Sequence, residues 1–108
     1  MTFSERVYAW CKRIPRGKVS TYKEIGKAIG SKGMVYRAVG VALKQNPHAP
    51  IVPCHRVVAS DGSLGGFHGR TSGTWIQKKI RLLKKEGVRV NKGRIVDFEK
   101  KLHRFSIR

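Results

Sequence analysis

Apolar residues recur along this chain with a helical period near its start. Phe3, Val7, Trp10 and Ile14 are spaced for one face of a helix, and Pro15-Arg16-Gly17 stops the run. Thr2 and Glu5, three residues apart, form a capping box at its beginning, which places Cys11 on or near the buried side. Val19-Ser20 leads into a second box, Thr21 to Glu24, followed by a short helix through Ile25, Ala28 and Ile29 with Gly30 at its end. Beyond the polar turn Ser31-Lys32-Gly33, a third helix is predicted from Met34, Val35, Ala38, Val39, Ala42 and Leu43, closed by Asn46-Pro47. Two short helices around a Gly-bounded turn, the second carrying Arg37 and Lys44, read as helix-turn-helix.

The pattern then changes. Pro47 and Pro50 make the stretch from His48 to Pro53 extended as it enters the apolar run Ile51 to Val58, and Val57-Val58-Ala59 reads as a brief strand ending at Asp61-Gly62. A glycine-rich loop follows from Gly62 to Gly69. A fourth helix is expected from about Trp75 to Glu86, with Trp75, Ile76, Ile80 and Leu83 on one face and Gly87 ending it. Val88 to Val96 alternates around Asn91-Lys92-Gly93 as a small hairpin, and Asp97 is expected to cap a last helix docked by Phe98, Leu102 and Phe105. The fold class expected is α+β, mostly helical: one winged-helix-like domain over residues 1–108.

Composition adds a partner to this picture. Among 108 residues there are 24 Lys and Arg against 6 acids, a formal charge of +18. So one-sided a surface repels itself and favours a polyanion, to which phosphate contacts bind in a salt-dependent way. Two cysteines, Cys11 and Cys54, make no disulfide framework and no CxxC pair, and the four histidines lack metal-ligand spacing, so neither metal nor cofactor is expected. No apolar stretch approaches a membrane span and the N-terminus lacks a signal-peptide core. The expectation is a monomer in a reducing compartment, cytoplasmic or nuclear.

The chemistry sits in Pro53-Cys54-His55-Arg56. A thiolate is accessible near neutral pH and intrinsically nucleophilic. A Cys in an apolar run also serves as a small buried hydrophobe, and neighbours in sequence point their side chains differently. On those residues alone both readings stand.

Four blocks carry a resemblance: Val19-Ser20-Thr21-Tyr22, Arg37-Ala38-Val39-Gly40, Asn46-Pro47 and Val52 to Val58. In this order they resemble the O6-alkylguanine-DNA alkyltransferases and their alkyltransferase-like relatives, over the family's DNA-binding and active-site domain from Phe3 to about Val90. The resemblance begins at that domain's first helix, which implies that the family's N-terminal domain is absent. It implies repair of O6-alkylguanine in double-stranded DNA by irreversible, single-turnover transfer of the alkyl group to Cys54. His55 would take the thiol proton through a water, Glu86 would orient His55, and Asn46 would hold the turn leading to the cysteine. Tyr22 would contact the flipped nucleotide, with its hydroxyl near the base. Arg37 would fill the vacated stack, while Ala38 and Ala42 would let the helix sit close in the minor groove. Arg56 would brace the region or meet DNA, and the carbonyls of Cys54 and Val57 would read the guanine amino group. Val57, Phe67, His68, Gly69 and Trp75 would line the alkyl pocket. Phe67 stands where many members have Tyr, and His68 replaces a residue that is often small.

Two other readings compete. Alkyltransferase-like proteins bind the lesion and flag it without transfer, but commonly replace the nucleophile, whereas Cys54 is present. A basic helix-turn-helix regulator with an inert Cys54 leaves the Pro-Cys-His-Arg block and Tyr22 unexplained. A cysteine protease is disfavoured because Cys54 and His55 are neighbours and no separate triad is visible.

Overall fold

The computed structural model describes residues 2–30, 35–47, 51–66 and 73–105. Helix α1, Phe3–Cys11, begins on the expected box: Glu5 N–H donates to Thr2 Oγ1 at 3.1 Å, and Thr2 N–H donates to Glu5 Oε1 at 2.8 Å. Helix α2, Tyr22–Ile29, is capped by Thr21, whose hydroxyl oxygen accepts from Glu24 N–H, and ends at Gly30 with φ +83°. Helix α3, Val35–Lys44, packs against both. Tyr8 Oη donates to the Ala42 carbonyl at 2.8 Å and ties α1 to α3. The turn between α2 and α3 lies outside the described residues.

Strand β1, Ser20–Thr21, pairs in parallel with β2, Val57–Val58, in the register Ser20↔Val57 and Thr21↔Val58. The sequence pattern marked the second strand and not the first. Both are buried on both faces, as parallel strands are. Helix α4 is Thr74–Lys85, and Glu86 is the cap residue that follows it. Strands β3, Val90–Asn91, and β4, Arg94–Ile95, form the expected hairpin. Its two central residues, Lys92 and Gly93, both have positive φ, 51° and 74°, as a turn matched to strand twist requires. Helix α5, Phe98–Lys101, follows Asp97.

The core gathers Val7, Cys11, Ile14, Val19, Ile25, Val39, Leu43, Val52, Val57, Val58, Leu83 and Val88 between the three-helix cluster, the small sheet and α4. The architecture is mostly helical α+β with small sheets, as expected. Among the described residues no helix is long and apolar enough to cross a membrane.

Cys54–Arg56, to which the sequence pattern assigned no element, is one turn of 3-10 helix, stopped where Val57 enters the strand. Two expectations are corrected. Trp75 is 39% exposed, and the buried face of α4 is Ile76, Lys79 and Leu83 with Ile80 half-covered. Trp75 falls about 100° round the helix from Ile76, and its ring carries the Lys78 ammonium 5.4 Å from its centroid. Asp97 occupies the cap position of α5 but makes no side-chain cap bond, because its own backbone is left-handed, φ 55°.

Candidate active site

The 3-10 turn brings Cys54 and His55 to the start of β2, both buried. Asn46, at the end of α3, donates its amide to the Val52 carbonyl at 3.0 Å, spanning the approach to the cysteine. Burial pushes the Cys54 thiol up. The Asn46 amide, the Lys79 charge and the backbone N–H groups of Cys54 and His55 act against that rise. The thiol therefore stays protonated at rest, in a setting whose donors favour the thiolate once formed.

His55 Nε2 lies 3.1 Å from Glu86 Oε2. Burial draws the imidazole below its ordinary range, and the Glu86 hydrogen bond and charge partly offset this. His55 is then neutral near pH 7, Nε2–H donates to the carboxylate, and Nδ1 is free of that bond to accept a proton. Glu86 is gripped from the other side by Arg56, Nε to Oε1 at 2.9 Å and Nη2 to Oε2 at 2.7 Å. Burial pushes the Glu86 carboxyl up, but its bonds with Arg56 and His55 outweigh burial and hold it below the usual carboxylate range. Arg56 Nη1 donates to the Ile14 carbonyl at 2.8 Å, so the loop after α1 is drawn into the same network. Of the two roles expected for Arg56, this geometry describes the brace, which uses three of its five N–H donors.

Lys79 was absent from the sequence reading and is central here. It is fully buried, and Nζ donates to the carbonyls of Val57 at 2.8 Å, Leu64 at 2.6 Å and Gly66 at 3.0 Å. Burial lowers its pKa to about 7, opposed by Cys54. Three carbonyls use all three ammonium protons, so the side chain clamps β2 to the glycine-rich loop. Helical periodicity offered one signal: Lys79 lies three residues after Ile76 and four before Leu83, on their face. A lysine there reads as solvated until the carbonyls are seen.

Tyr22, at the start of α2, packs its ring over that loop. A Cβ on Gly65, whose φ is +68°, would lie 3.1 Å from the ring and the hydroxyl. Tyr22 Oη donates to the Gly66 carbonyl at 3.4 Å, and burial pushes its pKa up to about 12. On α3, Arg37 and Ala38 are exposed together with Val41, which is 54% exposed. Ala42 is not on that face. At 3% exposure it belongs to the core, because α3 turns it toward Tyr8. The Val57 carbonyl accepts from Lys79, and the Cys54 carbonyl accepts from Val57 N–H. Phe67, His68 and Gly69 lie outside the described residues.

The 6-O-methylguanine DNA methyltransferase DNA-binding domain matches residues 2–88. The chain belongs to that family. A methylated-DNA–protein-cysteine methyltransferase of Methanosarcina barkeri is 44% identical over 81% of this chain and 52% of its own length. This methyltransferase-family chain thus spans about half the length of the curated relatives it matches. The Mycobacterium tuberculosis OGT in complex with DNA superimposes with a TM-score of 0.69, at 42% identity, over 80% of this chain and 50% of that one. Schizosaccharomyces pombe Atl1, in complex with damaged DNA containing O6-carboxymethylguanine, superimposes at 0.80 with 31% identity, over 94% of both chains.

Proposed function

We propose that this chain repairs alkylated DNA by moving the alkyl group from O6 of guanine to Cys54, once per molecule. The observation that carries the reading is a buried cysteine set beside the Glu86–His55 pair, with Asn46 and Lys79 disposed to favour its thiolate. The thiol proton passes to His55 through a water, and Glu86 stabilises the imidazolium that results. Sulfur then attacks the alkyl carbon, the carbon–O6 bond breaks, and its electron pair stays with the guanine, which takes up a proton. Tyr22, kept protonated by burial, is the donor available to the departing base. The product is a thioether that nothing in the site can reverse.

The target atom is shielded in stacked DNA, so the nucleotide must leave the helix at a cost of about a few kcal/mol. Arg37 and Ala38 on the exposed face of α3 are suited to entering the minor groove and filling the gap. The flipped base would meet Tyr22, the Cys54 and Val57 carbonyls, and a pocket wall for which Val57, Phe67, His68 and Gly69 are the candidates. Trp75, exposed on α4, is a further candidate for that wall.

A second reading rests on the similarity to Atl1 over nearly all of both chains: lesion binding without transfer. One experiment separates the two. The protein is incubated with duplex DNA containing O6-methylguanine, and the tryptic peptide Gln45 to Arg56, whose one cysteine is Cys54, is weighed. A gain of one methylene, saturating at one per protein and lost in Cys54→Ala, is expected. Tight lesion binding with no mass gain would overturn transfer in favour of lesion flagging. Binding indifferent to the lesion would leave only a basic DNA-binding domain.

A further inference from the structure

Residues after 88 lie outside the matched family domain, yet they reach a surface beside the candidate site. The segment after α5 runs parallel to the chain entering β1. Val19 N–H donates to the Lys101 carbonyl at 2.9 Å, His103 N–H to the Val19 carbonyl at 2.7 Å, and Ser20 Oγ to the His103 carbonyl at 2.9 Å. Phe105 is buried and meets Trp10 edge-on at 5.1 Å. Arg104, held between these anchors, is thereby placed on the rim of a hollow lined also by Thr21, Lys23, Glu24, Lys27, Ser60, Leu102 and Phe105.

That hollow shares Lys23 and Ser60 with a second one, walled by Tyr22, Tyr36 and Ala59. The two adjoin at the shared residues, a groove that leads from Tyr22, which packs on the active-site loop, to Arg104. Among the described residues its charged side chains are three cations and one carboxylate. Glu24 lies 3.7 Å from Lys27, and among the described residues Arg104 has a loose ion pair, 3.8 Å to Glu99 with both side chains largely exposed. Such pairs hold a side chain weakly and give way to a stronger anion.

We propose that this groove is a track for the DNA sugar-phosphate backbone next to the lesion, and that the segment His103–Phe105 extends it by supplying Arg104 as a phosphate contact. The inference rests on the proposed function for the identity of the polyanion. It assigns the C-terminal segment a binding role in addition to its packing on Trp10 and Val19. Ser60 and Lys23, at the junction of the hollows, link this contact to the nucleotide held near Tyr22.

The test is equilibrium binding of the full chain to a duplex carrying O6-methylguanine, repeated across salt concentrations. Neutralising one phosphate contact lowers the slope of log K against log salt by about 0.9. Arg104→Gln is expected to lose that increment, and Arg104→Lys to retain it. Lys92→Gln, at the hairpin tip and lining neither hollow, is expected to keep the wild-type slope. An unchanged slope in Arg104→Gln, or an equal loss in Lys92→Gln, overturns the inference. Transfer to Cys54 in the wild-type protein is read separately by mass, so failure of the chemistry and failure of the groove are distinguished.

Discussion

Arg56 and Glu86 meet through two hydrogen bonds of 2.9 and 2.7 Å, thirty residues apart in sequence and both mostly buried. A fork of this kind fixes the plane of the carboxylate, and with it the oxygen that His55 faces. The electrostatics of the site follow from this pair.

Removing the guanidinium leaves a buried carboxylate with His55 as its remaining side-chain partner. Arg56→Ala is expected to lower stability by roughly 3 kcal/mol, measured by urea unfolding at pH 7. The sign with pH is set by Glu86, whose folded pKa is depressed. Its contribution is present above the ordinary carboxylate range and is lost as pH falls through the folded value. The variant should therefore lose less stability on acidification than the wild type. An equal acid limb in both would show that Glu86 is not the group concerned.

Glu86→Gln tests the proposed base. His55 already lies below its ordinary range through burial, and the Glu86 bond and charge hold it up. Without them its pKa falls further. The acid limb of the transfer rate, expected below about pH 6.5 in the wild type, should move to lower pH. The plateau should drop by roughly tenfold to a hundredfold. Single-turnover rates across pH 4.5 to 8 give both; a limb that stays in place would remove His55 from the proton path.

Lys79→Met removes a donor shared by three carbonyls. Leaving these buried oxygens unpaired should destabilise the fold by roughly 3 kcal/mol or more at pH 7. In the wild type the folded pKa is lowered to about 7, whereas an unfolded lysine titrates near about 10.4. Between those values the unfolded chain binds more protons, so stability rises with pH by up to about 1.4 kcal/mol per unit. The difference between wild type and Lys79→Met, measured at pH 7 and 9, should widen accordingly. A constant difference would mean that Lys79 keeps its charge throughout.

Gly65→Ala places a Cβ against the Tyr22 ring at a backbone φ of +68°. The left-handed backbone alone should cost about 1 kcal/mol, with displacement of Tyr22 added to it. In a double-mutant cycle with Tyr22→Ala, the displacement part should vanish and the backbone part remain. Full additivity would indicate that the loop yields instead of the tyrosine. Lesion affinity in Gly65→Ala should fall with the tyrosine's displacement.

Much of this molecule was legible in the chain because its signals are local. A capping hydroxyl and its carboxylate lie three residues apart in Thr2 and Glu5, and the hairpin turn is set by two adjacent positions, Lys92 and Gly93. The blocks around Tyr22, Arg37, Asn46 and Cys54 carried the family resemblance in the same way. The relations between distant segments were decided only on folding. Ser20 and Thr21 became a strand because Val57 and Val58 came alongside, and no pattern within two residues announces a parallel partner. Ala42 reads like Ala38 in sequence, but packing of α3 on α1 buries the first and exposes the second. Lys79 looked like one more surface cation in a chain of charge +18, and Arg56 like a residue that would brace the region or meet DNA. Each is buried because acceptors from other elements converge on it: a carboxylate and a carbonyl for Arg56, three carbonyls for Lys79. A buried cation is tolerated only where its donors are satisfied, and that satisfaction exists only once the chain has closed on itself.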